Sequence, residues 1–279
     1  MDPSNDTRFV DKVIVITGAG GQFGRAGCLY FAQRGARVAG LDMSADTLAA
    51  TEQALQDGLG DQEFAFASYT CNVTQADQVA QVVQQIVERF GRIDLLWNNA
   101  GYQGQIRGML EYDPADFALV MNVNVTGMFI VLQAVAQQMK AQGGDAGYSI
   151  VNTASVAGLR GTPGMIAYAS SKAAVIALSV GAAKDVARHG IRVNALSPAL
   201  IGPGFMWDRQ NNLHAELGPP YFAATPEEVA ANKLSGVPMA RLGSVEEVVQ
   251  SLAFLLSAES SYTTGTNLVV DGGMSAGMK

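Results

Sequence analysis

A chain of 279 residues, 48% hydrophobic and only 15% charged, has the material for a large buried core and little charged surface. Its formal net charge of −7 excludes a protein built to neutralise a nucleic-acid backbone, although backbone amides can still hold a single phosphate group locally. The two cysteines, Cys28 and Cys71, lack metal-ligand spacing and read as buried free thiols of a reducing compartment; no metal is expected.

In chain order, the start MDPSNDTRFVDK is polar and has neither the basic nor the apolar part of a signal peptide, so a cytoplasmic setting is expected. VIVIT (13–17) reads as a buried strand that runs into a glycine cluster and then a helix near 23–34. RVAGLD (37–42) is a second strand, and Ser44 is placed to cap the helix that follows. FAFASY (64–69) leads to the helix ADQVAQVVQQIVERF, and IDLLW (93–97) leads to NNAG. A long helix is predicted over 114–140, then the strand YSIVNT (148–153). Helix 166–189 ends at His189-Gly190, and the strand IRVNALS (191–197) follows. A last helix near 245–257 precedes the strand NLVVD (267–271). The run AAVIALSVGAA is too short to span a bilayer, and no membrane partner is expected.

Continuous apolar strands alternating with helices predict a doubly wound α/β fold, a parallel sheet with helices on both faces, in one domain spanning 1–279. Only 199–240 breaks the rhythm. Rich in Pro, Gly, Met and aromatics, it reads as an ordered lid or insertion at about 203–235.

The strand–glycines–helix sequence around Thr17 is what a phosphate-binding loop requires: glycines let the backbone approach a pyrophosphate, and the helix terminus stabilises its charge. Gly18, Gly20 and Gly24 fit a T-G-x-x-x-x-x-G spacing, whereas Phe23 blocks a plain G-x-G-x-x-G match. Gly20 and Gly21 are expected to take up the tight turn. Gln22 then has negative φ and reaches toward a cofactor phosphate or ribose, with Phe23 near the nicotinamide. Asp42 ends the second strand, where a carboxylate binds ribose hydroxyls and repels a 2′-phosphate, which selects NAD over NADP. The plainer reading of Asp42 is an acidic residue before a helix; Arg25 and Arg37 are the nearby cations.

Tyr168 and Lys172 in YASSK lie four apart, on one face of a helix, so an ammonium can sit near a phenol. A tyrosine acting as a base near neutrality needs such a positive charge. Ser155 follows YSIVNT at the carboxyl end of the sheet, where its hydroxyl can orient a substrate oxygen or simply shape a turn.

The succession Thr17-Gly18-Ala19-Gly20…Gly24, Asp42, Asn98-Asn99-Ala100-Gly101, Asn124 in NVTG, Ser155, Tyr168…Lys172, Asn194…Pro198 and VVDGG resembles the short-chain dehydrogenase/reductase family over nearly the whole chain. The resemblance implies a Rossmann-like sheet of order 3-2-1-4-5-6-7, assembled as dimers or tetramers. It implies Tyr168 as acid/base, Lys172 lowering its pKa and binding ribose, Ser155 orienting the reacting oxygen, and Asn124 holding a relay water, with Asn122 as a rival. Cofactor contacts are implied at Asn72, Val73, Asn99, Ala100, Gly101, Pro198 and Ile201, while Asn98 either lines the pocket or braces the sheet. The chain departs from the family pattern at Gln22, at Asn72 in place of an Asp, at Ala199 after Pro198, and at Pro203 in place of a Thr.

Within the family, NNAGYQG, GPGFMWDRQ and SVEEVVQSLAFLL look most like bacterial xylitol dehydrogenases, which implies a small polyol and its ketone as substrates. Gln103, Arg209, Gln210 and His214 offer polar side chains; Met206, Trp207, Tyr221 and Phe222 instead suit an apolar ketone or pack the lid. Substrate contacts are expected at Gln103, Ser155, Met206 and Trp207, and His214 is expected to be a solvated loop residue. A rival from another class is an NAD-sensing protein without turnover, which would have no use for Tyr168 and Lys172.

Overall fold

The structure, a computed structural model, is described for residues 6–144 and 147–277, so the first five residues of the polar N-terminal segment lie outside it. In chain order it contains β1 (Val13–Thr17), α1 (Gln22–Ala32), β2 (Arg37–Asp42), α2 (Ala45–Leu59), β3 (Ala65–Thr70), α3 (Ala76–Phe90) and β4 (Leu95–Asn98). There follow α4 (Pro114–Met121), α5 (Met128–Gln142), β5 (Tyr148–Thr153), the single turn α6 (Ala157–Arg160), α7 (Ile166–Val186) and β6 (Ile191–Pro198). The chain ends with α8 (Phe205–Leu217), α9 (Pro226–Ser235), α10 (Val245–Leu256) and β7 (Asn267–Val270).

β1 is buried along its whole length and feeds two cores. Ile14 and Ile16 join Cys28 and Phe31 of α1, Leu48 and Leu55 of α2, and Leu252 of α10 on one side of the sheet. Val13 and Val15 join Val79 and Ile86 of α3 and Val131 and Val135 of α5 on the other. The period-2 alternation of a strand thus serves helices on both faces. Each such side chain, fully buried, contributes about 1.5–3 kcal/mol, and truncating Ile16 to alanine would cost roughly 2–5 kcal/mol with the cavity included.

All strand pairs are parallel and the order is β3-β2-β1-β4-β5-β6-β7, as expected. β1 pairs with both β2 and β4, so the chain leaves β1 in one direction and returns to its other side. The loops after β1 and β4 therefore diverge at the carboxyl edge and open a crevice there. Ser44 caps α2 by accepting from Thr47 N at 3.3 Å, and Ser244 with Glu247 forms a reciprocal capping box on α10.

Two expectations need revision. The helix predicted over 114–140 is three pieces, because Asn122–Gly127 forms a π turn between α4 and α5. Its cause is tertiary: Asn124 is fully buried and bonded to the Tyr102 backbone, which pulls the turn out of α register. The second concerns 199–240, whose irregular composition hides two helices, α8 and α9, packed on each other. Thr225 caps α9 by accepting from Glu228 N at 3.3 Å, with Pro226 at its first position. The longer segments Pro114–Gln142 and Ile166–His189 are long and apolar enough to cross a membrane by length and composition. Both lay part of that apolar surface on the sheet and on neighbouring helices.

Candidate active site

The glycine loop turns on Gly18, whose φ of 67° is the positive one; Gly20 and Gly21 do not take up the turn in that way. Gly20 is needed for closeness, because a Cβ there would overlap the Thr47 side chain. Gly24 is needed for the same reason against the Gly18 carbonyl oxygen. Gln22 opens α1 without positive φ, as expected. Its amide lies across the cleft against Gly204, where a Cβ would stand 2.8 Å from Nε2, so it touches the root of the lid. Gly21 provides no side-chain cap for α1, and no acidic residue occupies the first turn. The first N–H groups of α1 thus face the crevice with their positive field intact. A loop pressed flush against its helix and an uncapped, acid-free helix terminus fit a dinucleotide pyrophosphate.

Thr17 ties this loop to β4. Its hydroxyl donates to Asn98 Oδ1 at 3.3 Å and accepts from Asn99 N at 2.8 Å and Ala100 N at 2.9 Å, using its full capacity. Asn98 is buried and donates to Met128 O at 2.8 Å, so it braces the sheet and does not line the pocket. Asp42 Oδ2 accepts from Gly20 N at 3.0 Å and Oδ1 from Ser44 N at 3.1 Å, which aims the carboxylate at the carboxyl edge beside the glycine loop. Arg37 is ion-paired with Asp11 at 2.8 Å, and Arg25 donates to Gly20 O at 3.2 Å, so both nearby cations have partners. Asn72 Oδ1 is taken up by Thr74 N and Oγ1, leaving its amide nitrogen as the group able to meet an adenine.

Tyr168 and Lys172 come from α7, and Ser155 from the turn after β5 that Val156 N fixes by donating to Pro198 O at 3.1 Å. Lys172 Nζ lies 5.6 Å from the Tyr168 ring centre and donates to Thr153 O at 2.7 Å. Burial pushes the Lys172 ammonium down to about 8, so most of it remains charged at pH 7. Burial also raises the Tyr168 phenol, and the hydrogen bond from Ser155 opposes that shift. In this structure desolvation is the stronger effect on the phenol.

Asn124 is fully buried beside this pair. Its Nδ2 donates to Tyr102 O at 2.8 Å and Ser171 Oγ at 3.0 Å, and its Oδ1 accepts from Tyr102 N at 2.7 Å. Both amide hydrogens are spent on protein, so the side chain positions the Gly101–Gln103 segment through the Tyr102 backbone.

One cleft of about 290 Å³ gathers Gly21, Gln22, Phe23, Asn99, Gly101, Gln103, Tyr168, Lys172, Ile201, Met206, Trp207 and Gln210. Ser155 joins them through Tyr168. Gly18, Gly20, Gly24 and Ala100 do not line it: Gly18 packs against Ala100, Gly20 against Thr47 and Gly24 against Gly18 O, while Val73 packs under Gly127 and Pro198 is buried in β6. His214 is not a solvated loop residue: it is 1% exposed on α8 and stacked on Phe222 with ring centres 4.0 Å apart. Burial, reinforced by Lys233, lowers its pKa to about 3, so it stays neutral.

Sequence reasoning missed three supports. Thr153 holds Lys172 through a main-chain carbonyl, which leaves no side-chain signature. Asp116 accepts from Tyr112 Oη at 2.6 Å, Gln105 N at 2.9 Å and Tyr102 Oη at 3.3 Å, pinning the loop that carries Gln103. Lys233 reaches from α9 to Asn211 Oδ1 at 2.7 Å and Gln210 Oε1 at 3.3 Å, and these long-range partners leave no local signal in the sequence.

A family model described as enoyl-(acyl carrier protein) reductase matches residues 18–275. The chain is 45% identical to an NAD-bound xylitol dehydrogenase of known structure, with a TM-score of 0.90 over 95% of this chain and 100% of that one. It is 38% identical to a 3-oxoacyl-(acyl-carrier-protein) reductase of Thermotoga maritima, over 96% of this chain and 99% of the relative. It is 34% identical to levodione reductase of Leifsonia aquatica, over 98% and 97% of the two chains.

Proposed function

The chain belongs to the short-chain dehydrogenase/reductase family of oxidoreductases, and from that premise we propose that it interconverts a secondary alcohol of a small, xylitol-like polyol and its ketose with NAD. The observation that carries this reading is the cleft itself, where Tyr168 and Lys172 share a wall with the amides of Gln103 and Gln210. A hydroxyl-rich substrate offers those amides partners that a hydrocarbon chain lacks. The similarity to a xylitol dehydrogenase supports the same class.

NAD, when bound, supplies the hydride acceptor. Asp42 supports NAD over NADP, since its carboxylate stands where a 2′-phosphate would be repelled. In oxidation, Tyr168 Oη must first have lost its own proton to solvent; as phenolate it takes the proton of the substrate hydroxyl, and the hydrogen on the same carbon would pass as hydride to bound NAD. Ser155, which acts on the phenol to lower its pKa, orients the reacting oxygen. Lys172, held on Thr153 O, places a positive charge beside the phenolate that must form, and its remaining N–H groups are available to a ribose. In reduction the protonated phenol, favoured by burial, donates to the ketone oxygen. The segment 203–235 acts as a lid that excludes water from the cleft. Free, buried Cys28 and Cys71 suit a cytoplasmic protein, and the apolar groove between α5 and α7, with Phe129 43% exposed, suits a homo-oligomer.

Met206 and Trp207 on the cleft wall favour a second reading, a hydrophobic ketone or secondary alcohol. NADH formation on a panel of polyols against a panel of hydrophobic secondary alcohols separates the two. The polyol reading requires the larger kcat/KM on the former; preference for the latter refutes it.

A further inference from the structure

Besides Gln22, two of the cleft-lining side chains are glutamines, and an amide can present either its oxygen or its NH2 group to a ligand. Here a cation decides. Arg209 Nη1 donates to Gln103 Oε1 at 3.0 Å, and Lys233 Nζ donates to Gln210 Oε1 at 3.3 Å. Guanidinium and ammonium groups only donate, so each amide must turn its oxygen to the cation and its NH2 away.

We propose that Arg209 and Lys233 are positioning residues that set Gln103 and Gln210 as paired hydrogen-bond donors, through which the enzyme recognises oxygens flanking the reacting carbon of its substrate. The inference rests on the polyol reading and deepens it.

Three observations support the assignment. Gln103 Nε2 is buried with no acceptor among the described residues, and buried donors without acceptors are rare except where a ligand supplies one. Gln210 Nε2 meets only Met165 Sδ, at 4.0 Å, a weak acceptor. Among the described residues neither Arg209 nor Lys233 forms a salt bridge, so no carboxylate neutralises the charge that polarises each amide.

The arrangement is built from separate parts of the chain. Gln103 sits on the loop after β4, Arg209 and Gln210 on α8, and Lys233 on α9. Lys233 also donates to Asn211 Oδ1 at 2.7 Å and lies 5.3 Å from the ring centre of Trp207, another cleft residue. Closure of 203–235 and orientation of the donors therefore depend on the same contacts. The substrate class that follows is one with hydroxyl or carbonyl oxygens next to the reacting carbon. Compounds bearing an ammonium group or a bare chain there leave the donors unmatched.

The test compares xylitol with 2-pentanol, a chain of equal carbon number without flanking oxygens, in the NAD-loaded enzyme. Lys233→Met and Arg209→Met should raise KM for xylitol about tenfold or more. They should lower the xylitol-to-2-pentanol ratio of kcat/KM by a similar factor, and Lys233→Arg should restore it. Gln103→Glu keeps an oxygen for Arg209 but replaces the NH2 donor with an acceptor, and should also collapse the ratio. A ratio that stays constant in Lys233→Met and Gln103→Glu overturns the amide assignment, as does a parallel fall on both substrates, which is what damage to the fold would produce. A wild-type enzyme that oxidises 2-pentanol but no polyol overturns the polyol reading itself, and the inference with it.

Discussion

Replacing Lys172 with methionine should abolish turnover and yet stabilise the apoenzyme. The side chain is 2% exposed, and burial depresses its pKa from 10.5 to about 8. Below pH 8 the lysine is charged in both folded and unfolded states, and the folded state bears the full desolvation penalty. At 1.36 kcal/mol per pKa unit, that penalty is about 3 kcal/mol. The sign then follows. Between pH 8 and 10.5 the unfolded chain binds more protons than the folded one, so wild-type stability gains from this group as pH rises, and the penalty is gone above 10.5. Methionine fills similar volume without the charge but forfeits the bond to Thr153 O, worth about 1.5–3 kcal/mol for a charged donor. At pH 7 the variant should therefore be up to about 1–2 kcal/mol more stable, or roughly 2–6 °C in Tm. Urea unfolding of both apoproteins at pH 7 and pH 9.5 measures this. The gap between them should move by roughly 2 kcal/mol in favour of wild type across that interval. A gap that does not change with pH would refute the reasoning, because Lys172 would then not be a buried cation.

Other consequences follow from the same contacts. Asp116→Ala removes the acceptor of Tyr102, Tyr112 and Gln105 N at once; destabilisation of about 2–4 kcal/mol by urea unfolding is expected, with a higher substrate KM. Asp42→Ala removes the carboxylate beside the glycine loop and should narrow the NAD:NADP ratio of kcat/KM by at least about tenfold; an unchanged ratio would place cofactor selection elsewhere. Gly24→Ala drives a methyl into Gly18 O and should weaken NAD binding, read by calorimetry, more than it lowers Tm.

Much of this architecture is legible in the sequence because its causes are local. Alternation of Ile14 and Ile16 with Val13 and Val15, caps such as Ser44, and the four-residue spacing of Tyr168 and Lys172 are set within a few residues. What escapes such reading depends on distant partners. The π turn exists because Asn124 bonds the Tyr102 backbone, and α8 and α9 gain stability by packing on each other, across buried Asn211 and half-buried Lys233. The glycine loop shows the same divide: its location is plain, but which glycine carries positive φ and which merely avoids a clash depends on Thr47 and Ala100. The raised Tyr168 pKa is a matter of burial, which no four-residue spacing reports.

The most direct test of the account is Tyr168→Phe, assayed by polyol-dependent NADH formation alongside NAD affinity. Loss of the phenolic proton acceptor should reduce kcat by about 10²–10⁴-fold while NAD still binds within a few-fold of wild type. Near-normal turnover with bound cofactor would contradict the assignment of Tyr168 as the acid/base.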